Sequence, residues 1–138
     1  MTKLTLSMAE EYTGKAIAKA KEMGVSVCVA VADKGGKLVA LSRMDGLGWI
    51  TVDYAIGKAN TALAFGRSTM KMSERFKDQA LTESQFLDNL FRVHACSGKI
   101  CISSGGVLIE KNGEVLGAIG VSGARGEQDH EIAVAACT

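Results

Sequence analysis

The sequence contains no proline, and aromatic residues make up only 5% of its 138 positions. Without proline, the turns depend on glycine and asparagine, and the chain has 16 glycines for them. With so few aromatic rings, the core has to be built from Val, Ile, Leu, Met and Ala, which allows close packing. A chain of this length buries roughly two-thirds of its unfolded surface, and we expect one domain over residues 1–138.

A strong net charge is also absent. Lys and Arg total 16 against 15 Asp and Glu, which leaves a formal net charge of +1. Because no basic field exists, we expect neither nucleic acid nor an anionic membrane as a partner. The N-terminal MTKLTLSMAEE has no apolar core, and no run approaches the roughly 18 apolar residues of a membrane span. We therefore expect a cytoplasmic protein.

The four cysteines, Cys28, Cys96, Cys101 and Cys137, include no C-x-x-C pair. Two of them lie in runs of apolar or small residues, which is typical of reduced thiols that act as small hydrophobic residues. Cys96 and Cys101 are spaced C-x4-C beside His94, but a structural zinc site needs a second ligand pair, and none has a useful spacing. We predict no metal site.

Apolar residues at helical spacing, together with capping signals, predict the helices. Ser7 and Glu10 form an S-x-x-E capping box before the first helix, and Thr82 with Gln85 repeats that pattern later. The predicted helices cover about residues 8–23, 51–65, 68–76, the segment after Thr82, and 126–136.

Two hairpins complete the predicted fold. In VSVCVAVAD, valines alternate with small residues, and the turn residues that follow predict a hairpin over 25–44. Asn112-Gly113 predicts a second hairpin between two late apolar runs. Residues 92–105 have the weakest pattern, and we expect His94 in a loop and a strand at 99–102. The class is therefore α+β, with an antiparallel sheet of about five strands flanked by helices.

Glycines recur every third residue at the last predicted turn, at Gly117, Gly120, Gly123 and Gly126. They follow a hairpin strand, whereas a dinucleotide fingerprint follows the first strand of a parallel unit, and no Gly-Lys-Ser/Thr completes a P-loop. The amides near Ser122 and Gly123, next to a helix N-terminus, could hold a single carboxylate. Alternatively, the acids of 127–131, Asp129 among them, already occupy that positive end.

Four sequence blocks taken together carry a family resemblance: VAVADKGGKLVALSRMDG, DYAIGKANTALAFGRST, GGVLIEKNGEVLGAIGVSG and EQDHEIAVAA. In this order, the blocks resemble the GlcG/HbpS family, the haem-degrading domain that also forms the C-terminal part of PduO. The resemblance implies a profilin-like sheet flanked by helices, a homo-oligomer, and binding of haem or a related tetrapyrrole. Haem breakdown or corrinoid handling in diol and glycerol metabolism is implied for some relatives. Residues 79–101 depart from the family pattern.

Charged residues inside the matching blocks are candidates for ligand contacts. Arg43, Asp45 and Lys58 could meet carboxylates or propionates at a cleft, since Arg makes two-pronged contacts. The alternative is an ion pair between Arg43 and Asp45 in a loop, with the Lys58 stem lying over its Ala-rich helix.

His94 and His130 are the only histidines and hence the first candidates for a haem axial ligand. Cys96, Cys101 and the Met70 and Met72 pair come after them. We expect His130 at an exposed place in the first turn of the last helix. Both histidines can also be ordinary polar surface residues.

The sequence supports three hypotheses about function. The first is an oligomeric protein that binds haem or a related tetrapyrrole at a subunit surface and assists haem degradation or corrinoid handling in diol or glycerol metabolism. The second is a hydrolase or isomerase in which Arg43 and Lys58 hold a small carboxylate while Asp45 or Asp129 moves protons. The third is a sensory or assembly module without catalysis.

Overall fold

The computed structural model describes residues 3–138, which form five helices and four strands. In chain order the elements are α1 (Leu6–Met23), β1 (Cys28–Asp33), β2 (Leu38–Arg43), α2 (Ile50–Phe65), α3 (Thr69–Phe76), α4 (Glu83–Ala95), β3 (Gly106–Lys111), β4 (Glu114–Ser122) and α5 (Gly126–Ala136). All strands are antiparallel in one sheet of order β2-β1-β4-β3. The predicted α+β class is confirmed, with four strands where about five were expected. No helix within residues 3–138 is long and apolar enough to cross a membrane.

The two faces of the sheet differ in side-chain size, as the alternation in β1 predicts. Val27, Val29 and Val31 pack with larger apolar residues under α1 and α5. Cys28, Ala30 and Ala32 face α2 on the other side. Small residues let α2 lie so close that a Cβ on Gly120 of β4 would overlap the carbonyl oxygen of Ala55. Close approach of α2 is what brings its polar side chains to the end of the sheet.

Local capping signals placed most helix boundaries correctly. Ser68 caps α3, and Thr82 and Gln85 form the predicted capping box at the start of α4. The start of α1 was predicted wrongly, because Thr5, not Ser7, accepts the hydrogen bond from the amide of Met8 at 3.1 Å. Asn112 and Gly113 both have positive φ, as the turn of the late hairpin requires.

The strand expected at 99–102 does not exist. The amide of Cys101 donates to the hydroxyl of Thr61 on α2 at 2.8 Å, so a side chain rather than a neighbouring strand satisfies this backbone. This missing strand accounts for the lower strand count. His94 was likewise expected in a loop, but it lies in the last turn of α4.

Candidate functional site

Helix α4 stands apart from the core and carries an exposed apolar face. None of its thirteen residues, all within the described part of the chain, is buried. Phe86, Leu87, Leu90 and Phe91 are 40%, 47%, 47% and 70% exposed. Such large side chains normally lie in cores or interfaces, so a cluster of them on one helix is a candidate binding surface.

His94 lies on this same face. It follows Leu90 by four residues and Phe91 by three, and residues at these spacings are neighbours on a helix surface. The side chain of His94 is exposed. An imidazole thus lies at the end of a row of apolar side chains, on a helix with no buried residue of its own. We call Phe86, Leu87, Leu90, Phe91 and His94 the outer face of α4.

His130 has a different environment. It is half-buried in α5, where an exposed position was expected, and its Nδ1 is a buried atom without a hydrogen-bond partner. Burial lowers the pKa of His130 below the usual value of 6.5, while the Glu74 carboxylate opposes that change. The partial burial of this imidazole leaves less room than at His94 for a large planar ligand.

Lys58 and Asp129 form a buried ion pair between α2 and α5. The Lys58 Nζ lies 3.1 Å from Asp129 Oδ2 and donates a second hydrogen bond to the carbonyl of Val121 at 2.9 Å. Burial raises the pKa of Asp129, and the Lys58 ammonium and the Ala124 amide oppose that shift. The Lys58 side chain therefore points into the protein, where the sequence had suggested either a ligand contact or a stem lying over the helix.

The amides of the glycine-rich turn are also in use. Asp129 Oδ1 accepts from the amide of Ala124 at 3.0 Å, and Gln128 Oε1 accepts from the amide of Arg125 at 3.1 Å. Ser122 is buried at the end of β4, while Gly123 is exposed with φ of 128°. These contacts favour the structural alternative for this turn, in which acids of α5 satisfy the backbone, over a carboxylate cradle.

Arg43 and Asp45 lie at the same end of the sheet but on its surface. Arg43 of β2 pairs with Cys28 of β1, and Cys28 pairs in turn with Ser122 of β4. Arg43 is therefore two strands from Ser122, roughly 10 Å away. Both charged residues are exposed, and within residues 3–138 they form no ion pair with each other. Arg43, Asp45 and Ser122 thus lie at one end of the sheet, whereas the Lys58 ammonium is buried.

The outer face of α4 was not recognised as a site from sequence. Its signal was present in FLDNLF, where apolar residues recur three and four positions apart, but that spacing is equally typical of a helix side that packs on a core. Only exposure distinguishes the two. Within the described residues, no group of three His, Cys, Asp or Glu side chains could hold a metal ion.

Comparison with known proteins agrees with the fold. GlcG of Escherichia coli (strain K12) is 36% identical over 123 residues, covering 88% of this chain and 84% of GlcG. The 15.0 kDa protein in the dhaT-dhaS intergenic region of Citrobacter freundii is 33% identical over 130 residues, covering 94% and 87%. The solved PduOC–haem complex superimposes with a TM-score of 0.82 at 26% identity, covering 99% of this chain and 94% of PduOC.

A profile of the HbpS-like family, described as haem degrading proteins, matches residues 4–138. That match spans every helix and strand described above. The antiparallel sheet, the flanking helices and the relatives agree with it, and the resemblance inferred from the four sequence blocks is confirmed. The chain belongs to the HbpS-like family.

Proposed function

We propose that the protein binds haem or a related tetrapyrrole on the outer face of α4, with His94 as the axial ligand. The observation that carries this proposal is an exposed imidazole among four exposed apolar side chains on a helix that buries none of its residues. The family and the haem complex of PduOC support the class of ligand.

The residues of this face fit the chemistry of haem. A porphyrin is a flat apolar ring whose iron takes a nitrogen ligand from histidine. Phe86, Leu90 and Phe91 offer apolar surface, and the neighbouring His94 offers the nitrogen. When bound, haem would supply an iron centre for redox and oxygen chemistry. The apolar side chains of α4 would hold the ring and shield it from water, and His94 would provide the nitrogen ligand.

The same geometry supports a homo-oligomer. One helix face can cover only one side of a flat ring, and it leaves Phe91 70% exposed in a single chain. The same face of a second copy can cover the other side, because a twofold interface brings identical patches together. We therefore propose that the outer face of α4 is both the ligand surface and a subunit interface.

A small-carboxylate enzyme built on Arg43 and Lys58 has less support. The Lys58 ammonium already has two oxygen partners and is buried with Asp129. A substrate carboxylate would have to displace one of them. Arg43 is exposed, whereas the Lys58 ammonium is buried, so the two cations are not presented together at the surface.

A haemin titration followed by absorbance tests the proposal. The wild type and His130→Ala should show a saturable Soret shift, and His94→Ala should lose it. Leu90→Ser should weaken binding, whereas Leu38→Ser, which changes a leucine of similar exposure on β2, should not. A parallel titration with cobalamin asks whether the ring is a corrinoid.

Two results would contradict the proposal. Weak, unsaturated binding that is equal in all variants would mean that the family resemblance extends to the fold and not to the ligand. Saturable binding that survives His94→Ala and fails in His130→Ala would move the site from α4 to α5.

A further inference from the structure

A cavity lies on the opposite side of α4 from His94. It has a volume of about 510 Å³ and is bordered by the end of α2, by α3 and by α4. Asn89, Arg92, Val93 and Cys96 line it at spacings of three and four residues, which is one continuous side of the helix. This side is separate from the outer face.

Most of the cavity wall is apolar. Phe65, Phe76, Leu81, Val93 and Ile100 contribute from five different segments of the chain. Small-molecule sites are usually concave, of some 300–1,000 Å³, and mainly apolar with a few polar groups that fix orientation. The size and lining of this cavity fall within that description.

The charged groups at the cavity are both cationic, and Asn89 adds a neutral amide. Arg75 and Arg92 line the cavity, and among the described residues of the lining none is acidic. Arg75 takes part in none of the ion pairs within residues 3–138. Arg92 bonds Asp88 through Nε at 3.1 Å, but that pair is exposed, at 76% and 60%, and therefore weak. Two guanidinium groups thus border an apolar space, and the carboxylate paired with Arg92, that of Asp88, lies outside the lining.

We propose that this cavity binds a monocarboxylate with an apolar tail, independently of any haem. Guanidinium groups pair with carboxylates through two parallel hydrogen bonds, and the apolar wall accommodates the tail. The alternative is that the arginine stems merely cover apolar surface. That alternative does not account for the space left in the cavity. It also does not explain why none of the thirteen residues of α4 is buried. An occupant supplies the apolar contact between α4 and the body of the protein.

Haem is itself an apolar carboxylate, so the two sites have to be told apart. No histidine is among the described residues that line the cavity, and His94 lies on the other side of the helix. A ligand in the cavity therefore does not need His94. Because the two sites are separate, each can be removed by a variant that leaves the other intact.

Calorimetric titration with octanoate, using 1-octanol as its uncharged counterpart, tests the proposal. Octanoate should bind saturably and octanol much more weakly. Arg75→Gln and Arg92→Gln should each weaken octanoate binding roughly tenfold, the loss typical of a charged hydrogen bond. Lys71→Gln removes an exposed cation of α3 that does not line the cavity and should leave binding unchanged.

Alkylation of the cysteines gives a readout of position. Cys96 lines the cavity, whereas Cys101, also half-buried, does not. Octanoate should slow alkylation of Cys96 and leave Cys101 unaffected when modified peptides are quantified by mass spectrometry. Protection of Cys96 should disappear in the Arg75→Gln/Arg92→Gln double variant.

Several outcomes would overturn the proposal. Equal binding of octanoate and octanol, or no effect of either arginine substitution, would show that the cavity does not recognise a carboxylate. Competition between haemin and octanoate, with both lost in the double arginine variant, would make the cavity the haem site. Loss of haemin binding in His94→Ala with octanoate binding retained would support two separate sites.

Discussion

Substitution of Lys58 by Met should be one of the most damaging changes in this protein. The ammonium is buried, lies 3.1 Å from Asp129 Oδ2, and also satisfies the carbonyl of Val121. Methionine has a similar length but leaves a buried carboxylate with only the Ala124 amide as partner. Breaking one side of a buried pair costs about 3–5 kcal/mol of unfolding free energy.

Urea unfolding followed by circular dichroism measures this loss at pH 7. Lys19→Met is the matched control, because Lys19 is only half-buried and its partner Glu22 is 71% exposed, so this pair should contribute at most about 1 kcal/mol. In the double variant Lys58→Met/Asp129→Leu no charge remains buried, so it should lose less than the sum of the two single variants. A Lys58→Met variant within about 1 kcal/mol of the wild type would refute the reasoning.

The pair also predicts a dependence on pH. Burial raises the folded-state pKa of Asp129 above its ordinary value of 3.8. A raised pKa means that the contribution of this group is fully present below the unfolded-state pKa and is lost as pH rises through the folded-state pKa. Without the Lys58 ammonium, nothing offsets most of the effect of burial, and the Asp129 carboxylate is protonated more easily as the pH falls. The neutral acid is less costly to bury, so Lys58→Met should recover part of its lost stability as the pH is lowered from 7 towards 4. A loss that is the same at both pH values would contradict this account.

Three further predictions concern packing, hydrogen bonding and thiol reactivity. Gly120→Ala should destabilise the fold by more than about 1 kcal/mol in thermal unfolding, because its Cβ would overlap the carbonyl oxygen of Ala55; an unchanged melting temperature would contradict it. Thr69→Val should cost about 1–3 kcal/mol, since the buried amide of Gly106 loses the hydroxyl it donates to at 2.8 Å; a neutral result in urea would exclude that contact. Burial raises the pKa of Cys137 to about 11. Its alkylation by iodoacetamide should therefore rise roughly tenfold per pH unit above pH 8, because the thiolate is the reactive form. An alkylation rate that has already levelled off at pH 8 would be inconsistent with this pKa.

Local structure was predictable where a short-range interaction decides it. Asn112-Gly113 adopts positive φ in the turn, and the Thr82 box closes within four residues of chain, so each signal lies beside the structure it produces. The start of α1 was not decided by such a local signal. Thr5 and Ser7 are both good caps, and nothing local chooses between them.

The weakly patterned segment after α4 was not predictable in this way. Its backbone is satisfied from Thr61, forty residues earlier, and a contact over that distance leaves no periodicity in the sequence. The same holds for His94, whose helix was partly mistaken for a loop. None of the thirteen residues of α4 is buried, so no core imposes a strict apolar stripe on this helix, and its pattern is irregular at the C-terminal end.

The sequence by itself determined the hairpins, most helix boundaries, the unequal faces of the sheet and the family, because these follow from turn chemistry, side-chain periodicity and ordered motif blocks. Only the tertiary structure decided which charged and apolar residues are free to act. It joined Lys58 to Asp129 across 71 positions of chain and left the apolar residues of α4 exposed around His94. Both outcomes depend on burial, which is a property of the packed molecule. A lysine at the surface can bind a ligand, whereas a lysine in the core has to pair with an internal carboxylate.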